Sequence, residues 1–142
     1  MKIKNIIITF VSAIAILFST SVVSLAKVVG DKIILGAAIS LTGKYSSNGV
    51  HTQNGYNMAV DRINSMGGVK VGGKTYMFDI IYYDDESNPK RAAQLAERLI
   101  SQDGVEFMLG PYSSGLTKAI APVTEENKIP MVEANGASRS LF

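Results

Sequence analysis

The run Lys32–Ile39, KIILGAAI, constrains this chain most. It shows no apolar-polar alternation, and such a strand is stable only where apolar layers cover both of its faces. That demand points to the interior of a parallel sheet with helices packed above and below. The remaining sequence follows the same rhythm. A helix is predicted over residues 50–66, with Met58, Ala59, Ile63 and Met66 on its apolar side, Arg62 and Asn64 elsewhere, and Gly67-Gly68 as its stop. Val69–Val71, Gly72-Gly73 and residues 74–83 predict a hairpin with a tight turn. Ser87-Asn88-Pro89 then offers a capping side chain followed by a first-turn proline. It opens a helix whose stripe is Ala92, Ala93, Leu95, Ala96, Leu99 and Ile100. A strand at 107–110, a loop at 111–115, a helix at 116–127 and a strand at 130–132 complete the alternation. The expected fold class is α/β, a parallel sheet with helices on both faces. Right-handed crossovers put the first long strand in the middle, in the order 2-1-3-4. The last strand would be an open edge, and the stop just past it is read as the end of a fragment of a longer protein.

Ahead of this unit lies a segment of another kind. Lys2 and Lys4 precede an apolar run over residues 6–25, and Ser24-Leu25-Ala26 closes it with small residues at the positions a signal peptidase reads. Residues 1–26 are therefore expected to be a cleavable signal peptide, and 27–142 the exported part. An uncleaved anchor is the alternative, weakened by Ser12, Ser19, Thr20, Ser21 and Ser24 within the run. Removal of Lys2 and Lys4 cancels the formal charge of +2, because all twelve acidic residues lie after Ala26 and twelve basic residues remain. No electrostatic footprint for nucleic acid is left. With no cysteine in the chain, an exported protein has to rely on its core rather than on disulfides.

Residues that carry chemistry are few. His51 is the single histidine and sits among polar neighbours, so a solvated ring is expected rather than a base or a metal ligand. Asp84-Asp85-Glu86 suggests either a cation site or negative charge placed ahead of a helix N-terminus, and the second reading is preferred. No nucleophile elbow, Walker loop or dinucleotide fingerprint is present, and neither a cofactor nor an enzymatic activity is expected. The loop Tyr112-Ser113-Ser114-Gly115 is more informative. It joins a strand's carboxyl end to a helix start, where unpaired N–H groups and serine hydroxyls suit a carboxylate. Plain capping by Ser113 or Ser114 explains the same residues equally well. Asn135-Gly136-Ala137-Ser138 follows the neighbouring strand. Its carbonyls and the Ser138 hydroxyl suit an ammonium group, or else form a simple polar turn.

Several segments together carry a resemblance. They are Gly36-Ala37-Ala38-Ile39-Ser40-Leu41-Thr42-Gly43, residues 54–64, Gly67-Gly68-Val69, Asp84-Asp85 with Asn88-Pro89, residues 110–115, and Ala121-Pro122-Val123. In this order and spacing the chain resembles the leucine/isoleucine/valine-binding family of periplasmic proteins, from about Lys32 to Ser138. The resemblance implies a two-lobed, hinged α/β protein of the periplasmic binding protein type I fold, of which this chain would be part of the first lobe. It implies a periplasmic location and a partner permease of an ABC importer in the inner membrane. The ligand would be a branched-chain or other small amino acid, or a related amide or urea. By position, Ser114 matches the family's carboxylate-binding serine, within Ser113, Ser114 and Gly115. Gly136, Ala137 and Ser138 match the ammonium-binding loop if one extra residue is allowed before them. Where some relatives carry an aromatic residue, this chain has Asn48, and the nearest aromatic is Tyr45. A ligand-sensing domain of a signalling receptor is the alternative with the same fold.

Overall fold

The structure, a computed structural model, describes residues 28–141; the expected signal peptide therefore lies outside the described residues. The central strand is β2, Lys32–Ile39, entered through a two-residue strand β1, Val28–Val29, that pairs antiparallel with its start. Beyond them come α1 (Ser46–Ser65), β3 (Val69–Val71), β4 (Lys74–Asp84) and α2 (Pro89–Ser101). After these the chain forms β5 (Met108–Leu109), α3 (Ser114–Glu126), β6 (Met131–Val132) and a 3-10 turn at Arg139–Leu141. β2 runs parallel to β4 over eight partners, from Lys32 beside Met77 to Ile39 beside Asp84. On its other side it is parallel to β5, which is parallel to β6. The sheet order is β3-β4-β2-β5-β6, so the four parallel strands stand in the expected 2-1-3-4 arrangement. β3 closes onto β4 as an antiparallel hairpin through Gly72 and Gly73. Both have positive φ, 57° and 81°, as a twist-matched two-residue turn requires. β1 went unforeseen, because two exposed valines beside a glycine carry no strand periodicity.

Alternate residues of β2 face opposite layers. Ile34 and Ala38 join Ala92, Ala96 and Leu99 of α2, Leu116 and Ile120 of α3, and Val105 and Met108 in one buried cluster. Small residues on α2 let that helix lie close to the sheet, and an added Cβ at Gly36 would meet Val105, Met108 and Leu99. Asn88 caps α2 by accepting from the Arg91 N–H, with Pro89 in the first turn, as expected. On the opposite face Ile33, Leu35 and Phe78 border a groove with Tyr56, Val60 and Ile63 of α1. The helices therefore occupy both faces. Among the described residues no helix is long and apolar enough to cross a membrane.

The apolar stripe expected for α1 needs correction. Met58 and Met66 are 70% and 67% exposed, while Gly49 and Thr52 are buried. Asn64, expected off the apolar side, is what fixes the helix rotation. Its side-chain amide donates to the Phe78 carbonyl at 2.9 Å, and its carbonyl accepts from the Phe78 N–H at 2.8 Å. Phe78 lies just past the short β3 pairing, where β4 would otherwise leave those groups open. A polar side chain thus does the work of a missing strand and turns both methionines outward.

Candidate functional site

The carboxyl ends of the four parallel strands all open on one edge of the sheet, and its two halves are built differently. At β2 and β4 the loops are stitched to each other by carboxylates. Asp84 Oδ1 accepts from the N–H groups of Leu41, Thr42 and Glu86, and its Oδ2 accepts from the Thr42 hydroxyl at 2.7 Å. Burial pushes the Asp84 carboxyl up, but these hydrogen bonds outweigh it and hold the group below its ordinary value. Asp85 is fully buried, accepts from the Ser40 hydroxyl at 2.6 Å and from the Ser87 N–H at 2.8 Å through one oxygen, and leaves the other without a partner. Loss of solvent raises its pKa despite those two bonds. The acidic cluster is thus a loop clamp rather than a ring of ligands. Among the described residues, no group of three or more His, Asp or Glu side chains is placed to hold a metal ion.

At β5 and β6 the edge is more open. Gly110 and Pro111 are buried, and the chain then reaches Ser113 with φ 86° and ψ 140°. Ser113 is the N-cap of α3: its hydroxyl accepts from the Leu116 N–H at 3.4 Å. The capping reading therefore describes Ser113. Ser114 stands at the first helical position, and its hydroxyl oxygen accepts from the Ser138 N–H at 3.0 Å. The two loops singled out from the sequence are brought together through this bond, and the Ser114 hydroxyl proton remains available for an acceptor. Gly115 is exposed and faces open space, since an added Cβ would meet nothing within 4 Å. Ala137 is exposed as well, and the Ser138 hydroxyl pairs with that of Ser140 at 2.7 Å. Gly136 packs on α3, where a Cβ would run into Leu141 and approach Thr117.

Beside these loops, under the amino-terminal half of α1, lies a cavity of about 400 Å³. Asn48, His51 and Tyr56 of α1 line it together with Tyr112, Ala134 and Asn135. The six residues singled out from the sequence flank it but do not line it. Tyr112 and Asn135 are their chain neighbours. His51 is exposed at this wall, and Asn48 stands there while Tyr45 packs edge-to-face on Tyr112 with ring centres 5.6 Å apart. Tyr56 donates to the Gly110 carbonyl at 2.7 Å. Its phenol is pushed up to about 12 by burial and then by the negative charge of Glu133.

Glu133 is the residue that sequence reading missed. Its Oε1 accepts from the N–H groups of Asn135 and Gly136, the latter at 2.7 Å, and its Oε2 accepts from the Thr117 hydroxyl at 2.7 Å. Gly110 stands close beside it, where an added Cβ would overlap the Glu133 carboxylate in its present position. The only signal in the sequence is an acid directly after a buried-type strand, which surface residues imitate freely.

Comparison with known proteins decides the family. The profile described as Periplasmic binding protein matches residues 32–140, almost all of the described chain. The chain belongs to the periplasmic binding protein family. A Leu/Ile/Val-binding protein of Rhizobium johnstonii is 31% identical over 109 residues, covering 77% of this chain and 28% of that protein. Among solved structures, LivJ of Streptococcus pneumoniae in complex with isoleucine, a branched-chain amino acid transporter substrate binding protein, is 27% identical. It superposes with a TM-score of 0.70 over 78% of this chain and 30% of its own. A solute binding protein of an ABC transporter from R. palustris, in complex with 4-hydroxybenzoate, is 34% identical with a TM-score of 0.63. That match covers 78% of this chain and 29% of the other. The chain spans less than a third of the length of each of these relatives. The α/β sheet with its flanking helices is that of a periplasmic binding protein type I lobe.

Proposed function

We propose that the chain forms part of the first lobe of the solute-binding component of an ABC importer. In this reading residues 1–26 direct export and are removed. The remainder, with a second lobe, captures a small amino acid or related solute in the periplasm and delivers it to a permease in the inner membrane. The observation that carries the reading is the Ser114–Ser138 bond at the carboxyl edge of the sheet. It sets a helix N-terminus and the neighbouring loop side by side next to an open cavity, where a zwitterion can meet both. The ligand's carboxylate would take the Ser114 hydroxyl and nearby N–H groups, and its ammonium the loop of Gly136, Ala137 and Ser138. The family consists of binding proteins, and binding without chemical conversion is the role proposed. A lobe with two or three such contacts holds a ligand weakly, since each charge-assisted hydrogen bond contributes about 1.5–3 kcal/mol before association costs. Tight binding would therefore require the second lobe.

A second ligand class is favoured by one observation: Tyr56 and Tyr112 face the same cavity, a setting that also suits an aromatic acid. Calorimetry on the intact gene product with branched-chain amino acids, 4-hydroxybenzoate, amides and urea tests both. Binding of none of these classes would remove the solute-binding reading.

A further inference from the structure

We propose that Glu133 is a positioning residue that sets the ligand's charge type, making this site select solutes with an ammonium group over simple carboxylic acids. The inference rests on the solute-binding reading above and deepens it.

Three donors converge on the Glu133 carboxylate: the N–H groups of Asn135 and Gly136 and the Thr117 hydroxyl. The next N–H of that loop to be engaged, that of Ser138, is turned onto Ser114. The loop after β6 therefore directs these donors inward and withholds them from any anion in the cleft. At the same place stands the half-buried Glu133 carboxylate, bonded to the backbone of Asn135, which itself lines the cavity. Its reach is visible at Tyr56, another lining residue, whose phenol resists ionisation partly because of Glu133. Gly110 leaves open the space that this side chain fills.

A carboxylate ligand placed on the α3 N-terminus meets favourable donors on one side and this charge on the other. An α-ammonium beside the carboxylate turns the second contact from repulsion into attraction. A plain carboxylic acid has no such group. The two structural relatives described above hold one ligand of each kind, isoleucine and 4-hydroxybenzoate.

The test compares isoleucine with 3-methylpentanoate, the same skeleton without the ammonium, and with 4-hydroxybenzoate, by calorimetry on the intact gene product and its Glu133→Gln and Glu133→Asp variants. Glutamine keeps the size and one acceptor oxygen but removes the charge. The expected result is a shift of the isoleucine-to-acid affinity ratio by about tenfold or more toward the acids in Glu133→Gln, with the ratio kept in Glu133→Asp. A purely structural glutamate would weaken all three ligands together and leave the ratio unchanged, which overturns the inference while leaving the binding reading intact. Should Glu133→Gln not fold, the wild-type comparison decides: equal affinity for isoleucine and its deaminated analogue overturns the proposal. A wild type that binds no member of the panel sinks the inference together with the reading beneath it.

Discussion

Two glycines six residues apart on α1 should respond to the same substitution with opposite signs. Alanine in place of glycine inside a helix gains about 0.5–1 kcal/mol, because less backbone entropy is lost on folding. At Gly55 nothing stands within 4 Å of an added Cβ, so Gly55→Ala should realise that gain. At Gly49 the added Cβ would overlap the carbonyl oxygen, carbon and Cα of Ser40. Those are backbone atoms at the end of β2, pinned by the Ser40 hydroxyl on Asp85 and by the Asp85 N–H on the Ile39 carbonyl. They cannot swing aside as a flexible side chain would, so α1 has to move. Overpacking of this kind costs about 1–3 kcal/mol, and an unyielding partner belongs at the upper end. After the propensity gain, Gly49→Ala should lose about 2 kcal/mol, which separates the two variants by roughly 2–3 kcal/mol. Urea denaturation of both variants and the wild type, read as midpoint shifts at constant slope, measures the difference. Two shifts of the same sign and similar size would refute the claim that α1 is seated directly on the Ser40 backbone.

Other outcomes follow from the same geometry. Ser114→Ala should weaken solute binding to the intact gene product by about tenfold, roughly the worth of one charge-assisted hydrogen bond, as read by calorimetry. Asn88→Ala should destabilise the fold by about 1 kcal/mol through loss of the α2 cap, whereas the same change at exposed Asn54, inside α1, should hold or slightly raise the urea midpoint. The two aspartates should give pH limbs of opposite sign. The raised pKa of Asp85 means its contribution is full below its ordinary value of 3.8 and is lost as pH rises through the folded value, so Asp85→Asn should flatten that fall. Asp84, held low, contributes above 3.8 and loses this as pH falls through its folded value, so Asp84→Asn should flatten the acid limb instead. Denaturation midpoints collected from about pH 3 to 7 distinguish the two.

Much of this protein was legible in its residues alone, and for local reasons. Lys32–Ile39 has no polar side to present to water, so it had to be a central strand. Asn88-Pro89 and Gly72-Gly73 encode their cap and turn within a few residues, and crossover handedness then ordered the parallel strands. The serine loop and its neighbour were visible as polar strand-to-helix joints at one end of the sheet. What sequence could not supply was which groups meet across long separations. The Asn64 pairing with Phe78 rotated α1 and exposed Met58 and Met66, a choice made by unpaired backbone on β4 rather than by helical periodicity. Ser114 meets Ser138 across twenty-four residues, and Glu133 gathers donors from its own loop and from α3. A hydrogen bond is local in space but not in the chain, so only the packed sheet edge decides which of several serines, amides and acids come together.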